Sequence, residues 1–443
     1  MDELIIRNGR IINEGRSFYG DILLKDGRIE KIEGSIHKPC KNELDATGLI
    51  VIPGIIDDQV HFREPGLTHK ADIKTESGAA VAGGVTSYME MPNTIPPTLT
   101  QELLRQKYER ATSSSAANYS FYMGVSNENL DEVLRTDSAH VCGVKVFMGS
   151  STGNMLVDNP ATLEKLFSNC QMLIAAHCED ESTIRKNLVD WTKSSGELDT
   201  SYHPLIRSVE GCYLSSSLAV ALAQRFGTRL HILHISTGKE LTLFNHDLPL
   251  EEKRITSEVC VHHLYFDDQD YHLLGNRIKC NPAIKSKSDK DKLFEGMIQN
   301  VLDVIATDHA PHTMEEKDRP YLEAPSGIPL IQHSLPVMMS FYHQGRITLE
   351  RIVEKMCHAP AICFRIRERG FIQEGYWGDL VIVDPDLEWR VDTDNILYKC
   401  GWSPFIGKTF RGKVKHTLVN GQIVFTNNNV VPGIYGRRLE FNI

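Results

Sequence analysis

The sequence predicts an α/β fold: a (β/α)8 TIM barrel carrying a small β-sandwich module formed from both chain termini. Three observations predict it. The chain has 443 residues, enough for a barrel of roughly 250 residues plus a second module. Eight apolar, β-rich runs recur through its middle, most of them separated by helix-like segments. Hairpin chemistry appears at both ends of the chain.

The opening segment, residues 1–53, is the first part of the module. IIRNGRII and DILLKDGRIEKI carry apolar runs around NG and DG, the strongest short hairpin signals. The barrel is expected over 54–370, with the first run just overlapping its start. The runs are IVIPGIID (50–57), VTSYMEM (85–91), NYSFYMG (118–124), GVKVFMG (143–149), MLIAAH (172–177), RLHILHIS (229–236), RITSEVC (254–260) and LDVIATD (302–308). Gaps such as NPATLEKLFSNC and SSSLAVALAQRFG read as helices. Strands alternating with helices imply βα units and a parallel sheet, and eight units close a barrel. An open doubly wound sheet is the alternative. No GxGxxG or Walker loop follows a strand, which argues against a nucleotide-binding sheet. Residues 371–443 return to the hairpin style, with GDLVIVDPD and GKVKHTLVNGQIVF completing the module.

Composition removes several classes of function. Apolar residues make up 41% and charged residues 24%, as in ordinary globular proteins. A net charge of −10 without a long basic run argues against nucleic acid as a partner. No apolar run reaches the ~18 residues of a membrane span. MDELIIRNGR has no charged-then-apolar secretion pattern. Ten cysteines without CxxC pairs suggest reduced thiols and a cytoplasmic protein.

In such barrels catalytic residues come from the C-terminal ends of several strands. Run one is followed by Gln59, His61 and Arg63, and run two by Asn93. Run four contains Lys145, run five ends in His177, and run six carries His234. Run eight ends in Asp308, with His312 four residues on. A lone histidine near a strand end is ordinarily just hydrogen-bonded. Three on one rim, with an aspartate, form a metal-type donor set, because neutral imidazole and carboxylate both suit Zn2+. An ammonium repels a dication, so Lys145 fits only if carbamylated to an anionic, bridging carboxylate; a buried lysine–carboxylate pair is the alternative. Arg63 offers a planar fork matched to a substrate carboxylate. His231 should face the other side of its strand from His234 and is read as structural.

PGIIDDQVHFREPG, MEMPNTIPPT, GVKVFMGSS, AAHCED, HILHIST and ATDHAPH together resemble dihydroorotase, in the cyclic-amide branch of the amidohydrolase superfamily. The similarity runs from about Gly48 to the tail. It implies interconversion of N-carbamoyl-L-aspartate and L-dihydroorotate in de novo pyrimidine (UMP) biosynthesis. It implies one or two Zn2+ ions per subunit, two favoured. His61 and Asp308 match ligands of one metal and His177 and His234 ligands of the other, with carbamylated Lys145 as the bridge. Asp308 matches the catalytic proton carrier. Arg63, Asn93 and His312 match groups that hold the substrate carboxylate. Asn281 matches a further contact, and Pro325 and Gly327 lie in a segment whose backbone touches the ring. A homodimer is also implied, with a small-molecule substrate and no nucleic acid or membrane partner.

One departure is plain. The family's first motif is His-x-His, and here it reads Gln59-Val60-His61. A neutral amide is a weak or absent ligand beside imidazole. Two rival readings follow. One is another cyclic amidohydrolase, allantoinase or dihydropyrimidinase; Arg63 and MPNT argue against it. The other is a catalytically inactive scaffold, supported by Gln59 alone.

Overall fold

The computed structural model describes residues 3–149 and 154–443; Ser150 and Ser151 of the GVKVFMGSS motif lie outside them. The N-terminal segment forms β1 (Leu4–Asn13), β2 (Arg16–Lys25), β3 (Arg28–Glu33), β4 (Asn42–Asp45) and β5 (Ile50–Pro53). The barrel strands are β6 (Ile55–Val60), β7 (Val85–Glu90), β8 (Asn118–Phe121), β9 (Met123–Gly124) and β10 (Val144–Phe147), then β11 (Ile174–His177), β12 (Leu230–Ile232), β13 (Ile255–Cys260) and β14 (Val304–Ala306). The tail supplies β15 (Leu380–Arg390), β16 (Thr409–Val419), β17 (Gln422–Thr426) and β18 (Asn429–Val430).

Strands from both termini join one sheet, ordered β18-β17-β16-β15-β5-β1-β2-β3, with β4 beside β1. Ile6, Ile22, Leu24, Val51, Leu380 and Leu418 share its apolar core. Turns at Asp26-Gly27 and Asn420-Gly421 hold both residues at positive φ (52° and 84°, 50° and 75°), the geometry that twists with a hairpin. Asn8-Gly9 is different. The expected turn is instead a bulge inside β1, where the register with β2 shifts between Ile6 and Gly9. Asn8 takes φ 59°, and a Cβ on Gly9 would sit 2.6 Å from Val51 Cγ2. The turn falls at Glu14-Gly15, both at positive φ.

The barrel strands pair in parallel from β6 to β8 and from β9 to β14. Run three is the broken strand β8–β9. A parallel bridge between Val60 and His309 joins the first strand to the eighth. The run 50–57 is two strands, not one: Ile50–Pro53 pairs in the module and Ile55–Val60 in the barrel. Gly54 separates them because a Cβ there would lie 2.0 Å from Thr86 Oγ1.

The intervening helices carry the end signals their sequences offer. Pro160–Asn169 starts with Asn159 capping Ala161 N, and Pro160 lies in its first turn. Val209–Phe226 starts at Ser208 and ends at Gly227 in the left-handed region. No helix among the described residues is long and apolar enough to cross a membrane. All ten cysteines are free.

Candidate active site

A cavity of about 270 Å3 opens at the C-terminal ends of the barrel strands. Gln59, His61, Arg63, Asn93 and Lys145 line one side of it. His177, His234, Asn281, Asp308 and His312 line the rest, with Pro325, Ser326 and Gly327 at its edge. The sequence-predicted residues therefore meet in one place, although Lys145 and Asp308 lie on strands far apart in the chain. Period-two alternation along a strand is the local cause: Gln59 and His61 share one face at the end of β6.

Two pairs of ligand-type atoms face each other in the cavity, His61 Nε2 with Asp308 Oδ1 and His177 Nδ1 with His234 Nε2. The His61 Nδ1–H donates to Asn93 Oδ1 at 2.7 Å, which leaves Nε2 bare, 3.1 Å from Asp308 Oδ1. The His177 Nε2–H donates to Glu179 Oε2 at 3.0 Å, which turns bare Nδ1 towards His234 Nε2 at 2.9 Å. His234 Nδ1 is buried with no hydrogen-bond partner. Burial pushes all three imidazoles below their ordinary pKa, so they stand neutral. Neutral imidazoles gathered beside a carboxylate, one of them braced by a second carboxylate, suit a divalent metal. The donor set fits Zn2+.

Lys145 adds to that fit. Its amine is buried, with no hydrogen-bond partner, 4.5 Å from the centre of the Phe147 ring. Burial lowers its pKa to about 7. Much of it is therefore free amine near neutrality, the form that reacts with CO2. No carboxylate salt-bridges it among the described residues, so the buried-pair alternative receives no support from the geometry.

Gln59 does not act as a substitute imidazole. Its Nε2 donates to Asp308 Oδ1 at 3.0 Å. A carboxylate only accepts, so the amide nitrogen must face it and the amide oxygen must turn away.

Arg63 and His312 form an anion seat in the same cavity. Arg63 is buried, and burial lowers its guanidinium to about 10. Its Nε donates to the Pro311 carbonyl at 3.2 Å, and Nη2 lies 3.0 Å from His312 Nε2. No carboxylate salt-bridges it among the described residues. Asp308, Glu90 and Glu316 act on it only from beyond salt-bridge distance, and a buried cation with no directly paired carboxylate beside a cavity favours an anionic ligand. Arg63, His234 and Asp308 all take positive φ (67°, 39° and 47°), a conformation that costs non-glycine residues of order 1 kcal/mol or more and gathers at functional sites.

Sequence reasoning missed several contributors. Glu179 orients His177 and is itself ion-paired to Arg207 at 2.5 Å. Burial would raise its pKa, but Arg207 and His177 hold it below the ordinary range. AAHCED contained it two residues after His177, the only signal available. Lys279 and Lys317 hold the 324–327 segment from behind: Lys317 Nζ donates to the Lys279, Pro325 and Gly327 carbonyls, and Lys279 Nζ to those of Tyr321 and Ala324. Gly149 lets β10 pass the end of β11, where a Cβ would lie 2.1 Å from the Glu179 carbonyl. Two further buried groups of metal-capable side chains exist, Asp58/His231/Glu258 and Cys260/His262/His263. In the first, His231 contacts Thr256 and both carboxylates; against the effect of burial, Asp58 and Glu258 raise it to about 9. That is a structural, charge-paired role.

The amidohydrolase family model matches residues 50–424. The chain belongs to the amidohydrolase family. A dihydroorotase from Listeria welshimeri is 32% identical over 425 residues, covering 95% of this chain and 98% of its own. One from Clostridioides difficile is 31% identical over 432 residues, covering 95% and 99%. Among solved structures, the L-hydantoinase (dihydropyrimidinase) of Arthrobacter aurescens matches with TM-score 0.92 and 28% identity over 97% of this chain and 98% of that one. Dihydropyrimidinase from Brevibacillus agri shares the fold with TM-score 0.88 at 22% identity, the match covering both chains in full. The amidohydrolase is therefore similar in sequence to proteins named dihydroorotase and in fold to proteins named hydantoinase or dihydropyrimidinase.

Proposed function

We propose that this amidohydrolase is a dihydroorotase, interconverting N-carbamoyl-L-aspartate and L-dihydroorotate in de novo pyrimidine biosynthesis. The coarser statement stands on the family: it is a hydrolase acting on cyclic amide C–N bonds. The observation that carries the finer reading is the buried Arg63, without a direct salt bridge among the described residues, against His312 in a cavity that Asn93 also lines. A dihydroorotate ring bears a carboxylate that such a seat neutralises; a hydantoin or dihydropyrimidine ring does not. The L-hydantoinase likeness supports the rival substrate class.

His61 and Asp308 would hold one Zn2+, His177 and His234 a second, with carbamylated Lys145 between them. When bound, the metal supplies Lewis acidity and brings the pKa of a water towards ~7. The chain's own residues do the rest. Arg63, His312 and Asn93 hold the carboxylate, with Asn281 and the backbone of Pro325 and Gly327 along the ring, so the reacting carbonyl is pre-oriented. Water adds to that carbonyl, the C–N bond breaks, and the Asp308 carboxylate carries the proton from the water to the leaving ring nitrogen. Ring closure runs the same transfers backwards and releases water. We place the enzyme in the cytoplasm, where its free thiols stay reduced, as a homodimer.

The test is turnover of dihydroorotate, hydantoin, dihydrouracil and allantoin side by side by metal-loaded protein. Dihydroorotate should dominate, and a chelator should abolish the reaction. No dihydroorotate turnover by protein of verified metal content would overturn the reading and favour the scaffold role. Arg63→Met should lower kcat/KM for dihydroorotate by about 2–5 kcal/mol of lost pairing with metal content unchanged. Asp308→Ala should cut kcat by ~10²–10⁴-fold or more in a folded protein.

A further inference from the structure

His312 is surrounded by groups whose hydrogen-bonding roles are forced. Lys70 Nζ lies 3.0 Å from its Nδ1. Arg63 Nη2 lies 3.0 Å from its Nε2, and the Ser326 carbonyl oxygen is also 3.0 Å from Nε2. Glu316 stands behind: Oε1 is 2.9 Å from Lys70 Nζ and Oε2 is 3.5 Å from His312 Nδ1. Lys70 and Glu316 are only 12% and 16% exposed, so this is no loose surface pair. Burial, Arg63, Lys70 and Lys317 outweigh Glu316 and keep the imidazole neutral.

An ammonium only donates. Lys70 on Nδ1 and Arg63 on Nε2 compete for the one lone pair of a neutral ring, and the acceptors decide between them. The Ser326 carbonyl is 3.0 Å from Nε2, whereas Glu316, already paired to Lys70, is 3.5 Å from Nδ1. Nδ1 therefore accepts from Lys70, and the ring hydrogen falls on Nε2. That N–H reaches the Ser326 carbonyl and stands beside the Arg63 guanidinium, which also only donates. Two donors 3.0 Å apart cannot satisfy each other, yet both are satisfied by one anion placed against them. Without Lys70 the roles invert. Glu316 Oε2 becomes the available acceptor for an Nδ1–H, Nε2 becomes bare, and Arg63 closes onto it.

We propose that Lys70, held by Glu316, locks His312 as the Nε2–H tautomer and so makes it the second donor for the substrate carboxylate. Lys70 is a positioning residue acting through His312. This rests on the reading of Arg63 and His312 as the carboxylate seat.

Nitrogen-15 NMR of histidine-labelled, substrate-free holoenzyme tests it without turnover. The His312 signals are assigned by their loss in His312→Asn. Wild type should give the Nε2–H pattern and Lys70→Met the Nδ1–H pattern. Kinetically, Lys70→Met should raise KM for dihydroorotate about 10- to 100-fold, as loss of a hydrogen bond to a charged group does, with kcat changed much less. Adding Glu316→Ala to Lys70→Met removes the competing acceptor and should recover part of that loss. Lys70→Arg keeps the donor, and should keep both the tautomer and KM even if Lys70→Met folds poorly. An unchanged tautomer in Lys70→Met, whatever its KM, overturns the proposal, and so does an Nδ1–H pattern in wild type. Failure of wild type to use dihydroorotate sinks the substrate assignment instead and leaves the tautomer result readable.

Discussion

Gln59 shows how one side chain alters a donor set. An imidazole at its position would offer a lone pair; the amide instead spends an N–H on Asp308 Oδ1 and turns Oε1 to within 3.8 Å of Cys260 Sγ. It thereby offers no lone pair to the cavity and hydrogen-bonds the Asp308 carboxylate. The His61/Asp308 position should bind metal more loosely than the His177/His234 position. Gln59→His should raise occupancy at the first, and Lys145→Ala should reduce it at both, read by elemental analysis after identical dialysis and by anomalous scattering. Equal, tight occupancy in wild type, indifferent to Gln59→His, would refute this. Lys145 also sets a pH dependence. Its folded pKa of about 7 lies below the ~10.4 of an unfolded lysine. Between those values the unfolded chain binds more protons, so metal-free protein gains stability as pH rises from about 7 to about 10. Below about 7 both states are protonated and the gain is absent. Denaturant midpoints of metal-free wild type should climb through that window more steeply than those of Lys145→Met; parallel curves would contradict the assignment.

At the scale of elements, the 324–327 segment owes its place to charges behind it. Lys317 is buried, and burial lowers its pKa to about 7. Its three bonds to the Lys279, Pro325 and Gly327 carbonyls tie the segment to the loop carrying Asn281. Gly327, at φ 143°, would bring a Cβ within 2.4 Å of the Ala310 carbonyl, so the segment also packs flush against the loop after β14. Lys317→Met strands those carbonyls. It should cost roughly 2–3 kcal/mol of stability, read as a lower urea midpoint, and raise KM more than it lowers kcat. A variant as stable as wild type with unaltered KM would show that the segment holds itself.

On the scale of the whole molecule, the tail is part of the barrel's support. β15 pairs with β5. Asp379 and Asn420 hydrogen-bond Asn118 at the start of β8, and Thr417 caps the Val81 carbonyl at the end of the helix Ile73–Ala82. We take 1–53 and 371–443 as one module on that ground. A chain ending at Gly370 would bare the β5 edge that β15 covers and the Ile6, Ile22, Leu24 and Val51 core that Ile382 and Leu418 complete. It should appear in the insoluble fraction on expression; a soluble fragment with cooperative thermal unfolding would show that the barrel stands alone.

Read by itself, the sequence determined the barrel and the rim. Both follow from local rules: period-two alternation, helix caps, and the βα rhythm that brings every strand's C-terminal end to one face. Those rules suffice to bring His61, Lys145, His177, His234 and Asp308 together without knowing a single contact. The same local logic misplaced the Asn8-Gly9 turn, because whether a left-handed pair makes a hairpin or a bulge depends on the strand opposite. Only the tertiary structure decided how each of these rim side chains is held and which tautomer it presents. Glu179 behind His177, Gln59 on Asp308, and Lys70 on His312 across 242 residues of chain are pairings of side-chain direction and distance. Such pairings are set by the packing of distant elements, and spacing along the sequence carries no record of them.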